Sequence, residues 1–162
     1  MPDPSVSRLI RAAWLLPPLT LAAAWLTFTG SHHPTAPEAP PAQTKPARIP
    51  PLVGAVGLTP HAAALARYIQ ATYPEVSCIG GVRPDRLPDH PSGHAIDIMV
   101  GSNTMLGNQI EADVMARAAH FSIRYVIWRE TYRNPSGAAQ FMADRGSPTA
   151  NHYDHVHVTV NG

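Results

Sequence analysis

Apolar and polar positions divide the chain into three stretches of different character. Residues 12–28 (AAWLLPPLTLAAAWLTF) are uncharged and apolar, with Arg8 and Arg11 ahead of them and no further charge until Glu38. Residues 1–30 therefore predict an export signal or an N-terminal membrane anchor whose basic flank stays on the cytoplasmic side. The run is at the lower limit for spanning hydrocarbon, and Pro17-Pro18 would kink it. Ala22-Ala23-Ala24 offers a small-residue cleavage site, but the apolar run continues through Trp25-Leu26, which favours an anchor. Residues 31–51 hold seven prolines in 21 positions, too little apolar surface to fold, and predict an extended spacer. Residues 52–162 form the head, one domain of ordinary size.

Within the head, Thr59-Pro60 opens a helix with Thr as N-cap and Pro at the first helical position. Ala62, Leu65, Ala66 and Ile69 give that helix its apolar stripe, and Pro74 ends it. Strands are predicted over residues 76–82, 94–100, 124–129 and 153–160, from β-formers and period-two alternation. A second helix is predicted over 108–121, with Ile110, Val114 and Ala118 on one face. Residues 132–151 read as a loop long enough to suggest a lid or substrate wall. The fold class expected is α+β, a small and mainly antiparallel sheet flanked by helices.

Composition narrows the function. Twelve Lys+Arg stand against 11 Asp+Glu, a net charge of +1, which excludes the basic footprint of a nucleic-acid binder. With 14% charged and 44% hydrophobic residues, the chain is no disordered polyelectrolyte. Cys78 stands alone, so neither an intrachain disulfide nor a Cys-x-x-Cys metal site is possible, and it reads as a buried apolar residue. The head is expected to be a monomer placed outside the cytoplasm.

Histidine carries the candidate chemistry. Five of the nine histidines fall in two short segments, His90-Pro-Ser-Gly-His94-Ala-Ile-Asp97 and His152-Tyr-Asp154-His155-Val-His157. Imidazole and carboxylate are the ligands that suit zinc where thiolates are lacking. His155 and His157 are two apart on a strand and share a face. His90 in a turn and Asp97 in mid-strand can converge at a sheet end, where a neighbouring strand would deliver His157. Three protein ligands would leave a fourth tetrahedral position for water. Any one of these residues, taken singly, reads first as a hydrogen-bonded core or surface residue; it is the cluster that points to a metal.

The motif His90-x-x-Gly93-x-Ala95-x-Asp97, followed by His155-x-His157 near the end, resembles the zinc signatures of the D-Ala-D-Ala metallopeptidases. That group includes the vancomycin-resistance D,D-peptidases, the penicillin-insensitive murein endopeptidases and the Hedgehog signalling domain. The phrase from Asn151 to Val158 further resembles exported bacterial proteins of the same superfamily. The resemblance implies a Hedgehog/D,D-peptidase-like fold, zinc held by His90, Asp97 and His157, and a peptidoglycan peptide as substrate. It implies that Arg83 steadies the scissile carbonyl. The carboxypeptidase members carry a glutamate three residues before the last ligand; here that position is Asp154. The murein endopeptidases carry histidines two and five residues before it, matching His155 and His152. The general base is therefore His155, Asp154 or His152, in that order. The alternative is a non-catalytic peptidoglycan- or metal-binding module on the same fold.

Overall fold

The computed structural model describes residues 48–162. The signal or anchor expected over 1–30, and the spacer expected over 31–51 up to residue 47, lie outside the described residues. Among the described residues, no helix is long and apolar enough to cross a membrane. Among the described residues, contacts ahead of β1 include the Arg48 guanidinium, which donates to the Ser77 carbonyl at 2.6 Å, and Pro50 O, which accepts from Gln70 Nε2 at 2.7 Å.

The chain runs β1 (Leu52–Val53), α1 (Pro60–Thr72), β2 (Cys78–Gly80), β3 (Ala95–Met99), α2 (Thr104–Ala116), β4 (Ile123–Trp128), β5 (Thr131–Arg133), β6 (Ala139–Phe141) and β7 (His155–Val160). One sheet takes all seven strands in the order β1-β2-β3-β7-β4-β5-β6. The α+β class is as expected, but the sheet is larger than expected and mixed. β1 pairs with β2 in parallel, and the other five pairings are antiparallel.

Strand alternation separates the core from the site. Ile79, Ile96, Ile98, Val126, Val156 and Val158 point to one face, where they join Leu65 and Ile69 of α1 and Ile110 and Val114 of α2 in one buried cluster. Both helices thus cover the same face instead of flanking the sheet. Their partners in alternation, among them Asp97, His155, His157 and Thr159, point the other way. Residue by residue, β7 is buried along its whole length because it lies between β3 and β4.

α1 forms as its sequence predicts: Thr59 Oγ1 accepts from Ala62 N at 3.4 Å, and the four predicted apolar residues are its buried ones. α2 begins four residues earlier than predicted and ends five earlier. Asn103 caps it, its side chain accepting from Leu106 N at 3.1 Å. Gly107 disguises this first turn, since glycine disfavours helix by about 1 kcal/mol relative to alanine. The residue is needed because a Cβ there would run into the Trp128 indole.

The long loop expected over 132–151 is partly a hairpin. β5 and β6 pair across a turn in which Asn134 Oδ1 accepts from Ser136 N at 3.1 Å and Gly137 sits at φ +88°. Three-residue strands with exposed side chains on β6 carry almost no alternation signal, so their pairing is invisible in sequence.

Asp113 of α2 joins the two helices. Its carboxylate accepts from Tyr68 Oη at 2.6 Å, Tyr73 Oη at 2.9 Å and Arg117 Nε at 2.9 Å. Burial alone would raise this carboxyl, but those hydrogen bonds outweigh burial and hold it below the usual range. Asp113→Ala is expected to cost about 2 kcal/mol at neutral pH. Because the folded pKa is depressed, this contribution is complete above about pH 4 and fades as pH falls through the lower folded value. Urea unfolding of wild type and variant at pH 7 and pH 3 checks both statements, and the gap narrows at the lower pH.

Candidate metal centre

Asp97 lies at the middle of β3, directly opposite His157 on β7. His90 reaches the same point from the turn before β3, and all three side chains are buried. His157 Nδ1 lies 2.8 Å from Asp97 Oδ1, His90 Nε2 lies 3.3 Å from the same oxygen, and the two nitrogens are 3.3 Å apart. A tetrahedral cation with bonds of 2.0–2.1 Å separates its ligands by about 3.3 Å. Two edges of the triangle match that value and the third is shorter by half an ångström.

The outer nitrogens of both rings are already engaged. His90 Nδ1 lies 2.9 Å from the Gly81 carbonyl, which can only accept, so a ring proton on this nitrogen would leave Nε2 bare towards the triad. Arg83 Nη1, which can only donate, lies 3.0 Å from His90 Nδ1 as well as 2.7 Å from Asp97 Oδ2. His157 Nε2 meets Thr159 Oγ1 at 3.0 Å. With a cation bound, both rings would be neutral and donate outward, so that three lone pairs converge on it; without one, ring N–H groups face Asp97 Oδ1 instead. Burial would raise the Asp97 carboxyl, yet hydrogen bonds from His157 and His90 and the charge of His157 and His155 hold it well below the usual range. The group is thus an ionised carboxylate with two imidazoles, and it could hold a metal ion. The donor set fits a divalent metal, with outer partners of the kind that fix ligating histidines.

The other expected site residues fall into three situations. His155 shares the face, its Nε2 3.7 Å from Asp97 Oδ1, and its Nδ1 donates to Asp154 Oδ1 at 2.7 Å. Asp154 does not face the triad: it is held by His155 and by Thr149 Oγ1 at 2.6 Å. Arg83 braces the outer oxygen of Asp97 and lies 3.5 Å from Asp85.

His152 stands in the left-handed region at φ +56°, its ring centred 4.8 Å from that of His155 and 5.6 Å from that of His157. The β4–β5 turn holds it there. Arg129 and Glu130, both at positive φ, donate their N–H groups to the His152 and Asn151 carbonyls, each at 2.9 Å. Burial, then the charge of His155 and His157, pushes the His152 imidazole down to about 3, and its Nδ1 is buried without a partner. A neutral ring with so low a pKa is a poor proton acceptor near neutral pH.

These residues line a cavity of about 920 Å³. Further residues find their places here, and the reading of Cys78 changes. Tyr125 of β4 lines the cavity, its ring stacked 5.9 Å from that of His157. Cys78 is half-buried on the cavity wall opposite Met99, not buried in the core. Gly93 serves the turn before β3: it sits at φ +74°, and a Cβ there would strike the Gly57 carbonyl. Asp89, in the turn that carries His90, accepts from Tyr125 Oη at 2.6 Å. Thr159 was missed although strand alternation after His157 marks it as facing the same way.

Residues 54–153 match the family model described as VldE, C-terminal domain, which is more than half of the chain. The matched stretch includes Arg83, His90 and Asp97 and ends before His155 and His157. No curated protein and no solved structure matches the chain.

Proposed function

The chain belongs to the VldE C-terminal domain family, and for this member we propose a zinc-dependent peptidase, with a Hedgehog/D,D-peptidase-like fold, that acts on peptidoglycan peptides. The observation that carries the reading is the convergence of His90 Nε2, Asp97 Oδ1 and His157 Nδ1, three buried atoms of ligand type, with the far nitrogens of both rings in contact with outer partners. When bound, zinc supplies Lewis acidity: it polarises a carbonyl and lowers the pKa of a water it holds to about 7.

The chain's own groups do the rest. His155 is oriented by Asp154 and turns Nε2 towards the centre, the position of a base that takes a proton and later hands it to a leaving amine. Asp154 acts through His155 as a positioning residue. Arg83 keeps one edge of its guanidinium half-exposed on the cavity, where it would hold a substrate carbonyl oxygen while its other edge braces Asp97. The peptidoglycan assignment rests on the two zinc-type motifs and on the apolar stretch expected ahead of the head.

One observation favours the binding-module reading: Arg83 Nη1 is engaged by Asp97 and is not free for substrate. Incubating the zinc-loaded full chain with peptidoglycan fragments separates the two. The peptidase reading predicts released peptide, abolished by chelator and restored by zinc. Stoichiometric zinc without released peptide would leave the binding module, and absence of zinc would overturn the peptidase.

A further inference from the structure

The charges that line the cavity are unevenly paired. Asp97 faces Arg83 at 2.7 Å, and Asp89 accepts the Tyr125 hydroxyl at 2.6 Å. Asp85 meets Arg83 at 3.5 Å and accepts from Leu87 N at 3.0 Å. Arg83 is thus matched by two carboxylates and leaves no net charge for an anion. Among the described residues, the other two arginines of the lining, Arg86 and Arg145, have no carboxylate within ion-pair distance. Arg145 is the better fixed of the two. Its backbone N–H donates to Asn151 Oδ1 at 2.7 Å, and Asn151 is itself buried. Asn151 directly precedes His152, another residue of the cavity wall, so the backbone of Arg145 is tied to the wall that carries the imidazoles. The neighbouring carboxylate, Asp144, is turned into its own loop, where Oδ1 accepts from Asn151 Nδ2 at 2.6 Å and Gly146 N at 2.8 Å.

We propose that Arg145 is a specificity-determining residue: its guanidinium takes a carboxylate of the peptide substrate, so that the cavity selects acidic peptides over neutral ones. The inference rests on the peptidase reading above and deepens it by naming the substrate class. A guanidinium offers two parallel N–H groups that match the two oxygens of a carboxylate, and the pair strengthens as the ligand displaces water. The carboxylate can come from a free carboxyl terminus or from an acidic side chain within the peptide.

The test uses one peptide in four forms, with its carboxyl terminus free or amidated and one internal residue Glu or Gln. Calorimetry with the metal-free full chain is expected to show about 5-fold tighter binding of a carboxylate form than of its neutral counterpart. A preference for the free terminus assigns the pair to the peptide end, and a preference for Glu over Gln assigns it to the side chain. Arg145→Met is expected to erase the preference and leave the neutral form as in wild type. Arg145→Lys keeps the charge without the fork and is expected to retain part of it, while Arg86→Met keeps it in full. Added salt is expected to weaken the preference in wild type and to have no such effect in Arg145→Met. In the zinc-loaded chain, Arg145→Met is expected to raise KM for the acidic peptide about 5-fold, with kcat and zinc content unchanged. Equal affinity of wild type for all four forms, or a preference that survives Arg145→Met, would overturn the proposal. A metal-free chain that shows the preference, in a protein that releases no peptide when zinc-loaded, would instead fail the peptidase reading and leave the role of Arg145 standing.

Discussion

Replacing Asp97 by Asn is expected to abolish zinc binding while leaving the fold in place. Asp97 Oδ1 is the one atom within reach of all three imidazoles of the site, at 2.8 Å from His157, 3.3 Å from His90 and 3.7 Å from His155. The substitution keeps the side chain's shape but removes the only negative charge in the triad. Outer partners alone cost 10–100-fold, so loss of a direct ligand should exceed about 100-fold. The effect is visible without any substrate. At zinc 100 times above its dissociation constant, wild type gains about 2.7 kcal/mol of stability, a rise on the order of 10 °C in Tm. Asp97→Asn should show no zinc-dependent rise. A variant that kept its full metal content would remove Asp97 from the ligand set.

His155→Ala is expected to separate metal from chemistry. His155 is not one of the three converging ligands, and its Nδ1 is tied to Asp154. Loss of a positioned base costs about 10²–10⁴-fold in rate. The variant should therefore keep zinc and lose peptide release by that factor. Asp154→Asn should lose less, because it only orients the ring. His152→Ala should change release little, since its imidazole is already held neutral and far from a useful pKa. If His155→Ala lost zinc together with activity, His155 would be a ligand and the base would have to be sought elsewhere.

The part of the site that can be read from sequence is the part set by local geometry. Strand alternation puts His155, His157 and Thr159 on one side of β7, and the spacing of His90 and Asp97 places one in a turn and the other on a strand. α1 is equally legible, since its N-cap, its Pro and its apolar stripe all agree. What could not be read depends on partners distant in the chain. Tyr125 reaches His157 because β4 pairs with β7, a non-local pairing that nothing in residues 124–129 announces. Asp89 looks like one more charge in a solvated loop until Tyr125 is placed over it. The early start of α2 was hidden by Gly107, a residue that weakens the local helix signal so that the helix can lie against Trp128. Local propensity and tertiary packing disagree there, and packing wins.

The alternation that puts Ile96, Ile98, Val156 and Val158 into the core leaves Asp97 and His157 on the opposite face, so core and site are two outputs of one register. A slip of one residue between β3 and β7 would exchange them. This makes the position of the triad a consequence of the fold's most buried pairing and not of a mobile loop.

Anomalous diffraction at the zinc edge from crystals of the zinc-loaded full chain tests the central claim most directly. The account predicts a single strong peak about 2.0–2.2 Å from each of His90 Nε2, an Asp97 oxygen and His157 Nδ1. A peak bound elsewhere, with these three groups free of it, would contradict the account.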